Sequence, residues 1–118
     1  MGSNIYHYLP YFSEGLVALR NAETGKWEYI DKSGEVVIPF KDGWGYAWSG
    51  RKASFSEGLA AVIYATDGEW GNAKYGQIDK TGEVVIPFEY DSINLFSDGL
   101  AAAVKNGELI ILSRAEFD

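Results

Sequence analysis

One string of residues occurs twice in this chain. Ile30–Phe40 reads IDKSGEVVIPF and Ile78–Phe88 reads IDKTGEVVIPF, differing only at Ser33 and Thr81. A second string precedes each copy and appears once more. It reads Phe12-Ser13-Glu14-Gly15-Leu16, then Phe55-Ser56-Glu57-Gly58-Leu59, then Phe96-Ser97-Asp98-Gly99-Leu100. Its starting phenylalanines stand 43 and then 41 residues apart. Self-similarity at a period of roughly 20–50 residues is the mark of a repeat architecture, in which each unit buries its apolar face against the next. The chain therefore folds as a set of stacked units, within a single domain spanning residues 1–118.

Each unit reads as three short strands. Gly15–Arg20 is apolar and brief, and Lys26–Asp31 alternates and is rich in aromatics, as a half-buried strand requires. Glu35–Pro39 carries two adjacent valines and an isoleucine, β-branched residues that favour extended backbone. Its proline, which has no N–H to give, is expected to end it. Asp31-Lys32-Ser33-Gly34 is a tight turn, with the aspartate bonding the turn backbone. The pattern recurs as Gly58–Ala65, Lys74–Asp79 and Glu83–Phe88. The third unit keeps Gly99–Lys105, an Asn106-Gly107 hairpin turn and Glu108–Ser113, then continues as a polar tail, Ser113–Asp118, of the kind that caps a terminal repeat. The recurring Phe12, Phe55, Phe96 and Leu16, Leu59, Leu100 are assigned to packing between units. The expected fold is all-β: about two and a half three-stranded antiparallel meanders, stacked as a small β-solenoid or sandwich, with closure into a small barrel as the alternative.

Before the first repeat, Tyr6–Phe12 aligns without gaps on Tyr90–Phe96. Met1-Gly2-Ser3 looks like a cloning remnant, and the chain either starts at a natural N-terminal edge or is cut from a longer array, the second being the favoured expectation. Two insertions distinguish the units. One falls in Lys41–Ser54 and the other in Thr66–Ala73, and together they hold Trp44, Trp48 and Trp70, three of the four tryptophans, along with Tyr46. Insertions in repeat folds map to loops on one face, often the binding face, and Trp and Tyr are enriched in binding hot spots. Trp44, Tyr46, Trp48 and Trp70 are thus the candidate binding residues. The competing expectation is that these rings cover the ends of a small sheet and add to a small core.

The chemistry the chain lacks is as informative. There is no cysteine and only one histidine, His7, so thiolate metal sites and disulfides are excluded and a nucleophile–His pair has a single possible base. No phosphate-binding loop or zinc spacing is present, and the acidic residues sit where turns and solvent faces call for them. No catalytic residue, metal site or cofactor is expected, and the chain is read as a non-enzyme. The formal net charge of -7 and the absence of a basic stripe argue against nucleic acid. No apolar run approaches the roughly 18 residues of a transmembrane helix, so membrane insertion is not expected. Nothing fixes a compartment.

The succession F-S-E-G-L-A, a W-G-like strand, I-D-K-T-G, V-V-I-P and Y-D resembles the WG-repeat family (also called KWG repeats), found largely in bacterial proteins. The resemblance runs from about Tyr6 to Ser113. The eponymous dipeptide is replaced by Trp27-Glu28, Tyr75-Gly76 and Leu109-Ile110, while Trp44-Gly45 and Trp70-Gly71 lie in the insertions. The resemblance implies a binding or scaffolding role and brings no catalytic residues. The expected function is a protein-interaction module whose partner is another protein or further repeats of the same array. The alternative is a module for cell-surface or cell-wall glycan, with Asp42, Asp67 and Asn72 beside the aromatics to bond hydroxyl groups.

Overall fold

A computed structural model describes residues 12–20, 27–39, 41, 44–46, 54–65 and 72–117. The units are antiparallel meanders, as the sequence predicts. The first sheet comprises β1 (Leu16–Arg20), β2 (Trp27–Asp31) and β3 (Val36–Ile38) in chain order. The second comprises β4 (Trp44–Tyr46), β5 (Leu59–Tyr64), β6 (Lys74–Asp79) and β7 (Val84–Tyr90). In the third, β8 (Ser92–Ile93), β9 (Leu100–Lys105) and β10 (Glu108–Ser113) lie side by side, and a 3-10 turn at Arg114–Phe117 follows. None of the three sheets closes on itself as a barrel.

The FSEGL string makes a reverse turn into each unit. Ser13 and Leu16 exchange two backbone hydrogen bonds of 2.9 and 3.1 Å, and Ser56–Leu59 and Ser97–Leu100 do the same. Both central residues take positive φ: Glu14 53° and Gly15 85°, Glu57 53° and Gly58 83°, Asp98 53° and Gly99 78°. That is the type I′ geometry, whose twist matches that of the flanking strands. It explains the glycine in every copy, since a residue without Cβ takes that conformation freely. The IDKTG string is a second kind of turn. Asp31 Oδ1 accepts from the Ser33 amide at 2.9 Å, the Ser33 hydroxyl at 2.6 Å and the Glu35 amide at 3.1 Å. Asp79 repeats this with Thr81 and Glu83.

Each sheet packs one face against the next unit. Leu16, Ala18, Tyr29 and Ile38 of the first sheet meet Phe55, Ala60, Val62 and Ile78 of the second. Leu59, Ala61 and Ile86, on the second sheet's other face, meet Ile93, Phe96, Ala101, Ala103 and Leu112 of the third. The opposite face of the first sheet holds a smaller buried cluster, Val17, Leu19 and Ile30.

Three expectations need correction. Part of the Lys41–Ser54 insertion is strand and not loop: Trp44, Gly45 and Tyr46 pair with Tyr64, Ile63 and Val62. The equivalent segment of the third unit, β8, pairs in the same way with Val104 and Ala103. A strand built from the linker was not expected, because three residues are too few to show a period. Second, Pro39 follows the end of β3 as expected, but β7 runs past Pro87 to Tyr90, two residues beyond the expected Phe88. The register between β6 and β7 slips on both sides of Gln77, and such a bulge tolerates a residue that cannot donate. Third, Phe12 and Leu100 are exposed, at 46% and 52%. Their counterparts Phe55, Phe96, Leu16 and Leu59 are buried as assigned. Recurrence identifies the packing position, but Leu100 has no following sheet to pack on among the described residues.

Candidate functional site

Two ladders of polar contacts run from unit to unit. The Ser13 hydroxyl donates to the Phe55 carbonyl and the Ser56 hydroxyl to the Phe96 carbonyl, each at 2.6 Å. The Glu14 carboxylate accepts from the Glu57 and Gly58 amides at 2.8 and 2.9 Å, and Glu57 accepts from the Gly99 amide at 3.1 Å. A glutamate is an uncommon residue at positive φ. Here its side chain satisfies amides that the next type I′ turn points away from its own strands. In the third unit Asp98, one methylene shorter, stands in that place. Sequence reasoning assigned the FSEGL string to apolar packing and missed these roles. The signal available was an acidic residue recurring where Asn is the usual turn former.

The third sheet is where the stack is open. Registers of Leu100 with Ser113, Ala102 with Ile111 and Val104 with Leu109 put these side chains on one face. Leu109 is 70% and Ile111 56% exposed. Leu16, Ala18 and Tyr29, then Leu59, Ala61 and Gln77, hold the positions of Leu100, Ala102 and Ile111 in the earlier units and are buried, while Trp27 and Tyr75, at the position of Leu109, are half-buried. The apolar face that covers a neighbour twice within the chain is thus presented a third time to solvent. Its other face is closed: Ala101, Ala103 and Leu112 pack inward, and Phe117 of the 3-10 turn lies edge-on to Phe96 with ring centres 6.5 Å apart.

Among the described residues the third sheet also lacks the strand that would correspond to β3 and β7. The Ala102 and Val104 carbonyls accept from the Asn94 and Asp91 amides, so those residues turn their backbone groups toward β8. Because antiparallel pairs alternate between bonded and non-bonded, Leu109 and Ile111 opposite them turn their N–H and C=O groups to the outer edge of β10. In the first two units the outer edge of the second strand is filled: Tyr29 pairs with Ile38, and Gln77 with Ile86. One backbone donor of that edge is capped in the third. The Ser113 amide bonds Glu116 Oε1 at 3.1 Å, where Asp31 and Asp79 bond the Glu35 and Glu83 carbonyls.

Charged groups hold the rim of this sheet. Lys105 bonds Glu89 at 2.9 Å, and that contact raises the lysine's pKa above its ordinary value. Lys74 pairs with Asp91, and its hydrogen bond holds the Asp91 carboxyl below the ordinary carboxylate range. Asp31 is lowered by the Ser33 hydroxyl and by the turn amides. For Asp79, burial pushes upward, but the Thr81 hydroxyl and the turn amides outweigh it. These are the shifts of structural turns. Among the described residues no cluster of three His, Cys, Asp or Glu could hold a metal ion.

Of the sequence-predicted binding residues, Trp44 and Tyr46 lie on β4, which borders the second sheet. Their side chains, and the whole of Trp48 and Trp70, fall outside the described residues, as do Asp42, Asp67 and His7. Asn72 is exposed.

Stacked β-meanders linked by a serine and a glutamate ladder define an all-β repeat module. The family described as WG containing repeat matches residues 29–41 and 75–108, so the chain carries repeats of that family. The second matched segment takes in β6, β7, β8 and β9, and so crosses from one unit into the next. No curated protein and no solved structure matches the chain.

Proposed function

We propose that this chain is a non-enzymatic protein-interaction module whose binding surface includes the outward face of the third sheet. One observation carries the reading. Leu100, Leu109 and Ile111 are the large exposed apolar residues of a single face, and the equivalent face is twice covered by protein within the same chain. A contiguous exposed apolar face on a small domain is the mark of an interaction site. The face is aliphatic, and a sugar-binding platform calls for flat aromatic rings, so a protein partner is favoured over a glycan. Trp44 and Tyr46, on the edge strand of the neighbouring sheet, extend the proposal to the aromatic insertions.

The test is capture of partners from a lysate of the source organism, followed by direct titration of any purified protein retained. The parent chain is compared with a Leu100→Asp, Leu109→Asp variant that circular dichroism shows to be folded. The expected result is a defined protein bound by the parent and bound at least tenfold more weakly by the variant. Retention of polysaccharide alone, or equal binding by both chains, contradicts the reading.

A further inference from the structure

We infer that the open edge of β10 is a strand-addition site that takes an extended segment of the pattern Glu-Val-Val-Ile-Pro from a partner chain. The inference rests on the protein-interaction reading and names the partner's chemistry.

The occupant is read from the two positions where the site is already filled. Against β2 lies Val36–Ile38, and against β6 lies Val84–Tyr90, both antiparallel. In each case a glutamate precedes two valines, an isoleucine and a proline. The isoleucine stands opposite the residue equivalent to Ile111: Ile38 faces Tyr29 and Ile86 faces Gln77. Ile38 and Ile86 are buried to 1% and 0%, whereas Val36, Val37 and Val84 stay exposed. So one isoleucine anchors the added strand and the valines supply extended backbone. At β10 the same docking plane is vacant among the described residues. The Leu109 and Ile111 backbone groups point into it, and their side chains border it. An edge strand with free N–H and C=O groups and apolar side chains is a template for pairing with another chain, and strand addition is a recurrent mode of peptide recognition. Glu116 on the Ser113 amide closes the end of the edge, which limits the occupant to a short strand and sets its register.

The test uses the full chain and a synthetic peptide of residues 82–90, GEVVIPFEY, with a scrambled peptide as control. Binding is followed by backbone amide shifts in nuclear magnetic resonance. Ile111→Pro removes an N–H that does not bond to β9, so the β9–β10 ladder is retained. Leu109→Lys keeps the backbone donor and tests the side chain. The expected result is saturable 1:1 binding that shifts the Leu109 and Ile111 amides, falls at least tenfold in Ile111→Pro, and is absent with the scrambled peptide. If the chain self-associates in sedimentation, the inference requires that the peptide dissociate the dimer and that Ile111→Pro prevent it. No binding by the peptide, shifts confined to other residues, or full binding by Ile111→Pro overturns the inference. Loss of peptide binding alongside protein capture that still depends on Leu100 would overturn strand addition and leave the interaction module standing.

Discussion

Gly76 shows what the glycine of the eponymous dipeptide is for. A Cβ built there would lie 2.3 Å from the Ile86 carbonyl oxygen and 3.0 Å from the Phe88 ring. The bulged β7 crosses this point so closely that only glycine fits. The same logic explains the departures. In the first unit Glu28 is tolerated because β3 stops at Ile38, and in the third Ile110 is tolerated because no third strand crosses it among the described residues. Gly76→Ala should therefore destabilise the chain by roughly 2–3 kcal/mol, as overpacking against fixed backbone does. Urea unfolding measures it, and a change within about 0.5 kcal/mol would show that β7 can move away. Trp-Glu, Tyr-Gly and Leu-Ile could be aligned in the sequence, but the reason for the glycine was not legible, because it depends on the register of a strand ten residues further on.

At the scale of elements, the turns carry the joints between units. Glu14 accepts two amides of the next turn, while Asp98 makes no such bond among the described residues. Both sit at φ near 53°, so alanine at either position keeps the backbone strain and removes only the carboxylate. Glu14→Ala should cost about 0.5–1.5 kcal/mol, the net worth of hydrogen bonds that water can replace. Asp98→Ala should change stability by less than about 0.5 kcal/mol, as surface substitutions do. Denaturant midpoints of the two variants, taken side by side, check the contrast, and equal losses would rule out the ladder as a joint. The strands of these elements were legible from alternation, and the Asp-Lys-Thr-Gly and Asn-Gly turns from their residues, whereas the Glu-Gly turn that opens each unit was read as packing and strand. The linker strands β4 and β8 were not, since their pairing is dictated by where β5 and β9 already lie.

For the whole molecule, the defining property is asymmetry of its end. Repetition in the sequence showed that faces recur, that of the third unit being the last among the described residues. It did not show that the last face is open. The polar tail Ser113–Asp118 was expected to cap the third unit, and in part it does. Phe117 packs on Phe96, Glu116 bonds the Ser113 amide, and Arg114 Nε donates to the Glu57 carbonyl at 2.7 Å. All of these contacts seal the inner side or the tip of the sheet. Leu100, Leu109 and Ile111 are left bare because the tail turns back toward the second unit and does not cross the outer face. Of the aromatic residues in the insertions, Trp44 and Tyr46 lie on β4 at the edge of the second sheet.

The open edge can be tested without any partner, by amide hydrogen exchange resolved residue by residue in the dilute monomer. Ile110 and Leu112, whose amides face β9, should be protected to the level of the sheet. Leu109 and Ile111 should exchange near the rate of unprotected amides, while Tyr29 and Gln77, at the same position under β3 and β7, should be slow. That pattern would establish that the third sheet presents an unfilled strand position. Protection of Leu109 and Ile111 equal to that of Tyr29 and Gln77 would mean the edge is already covered, and the account of the third sheet as the binding end would fail.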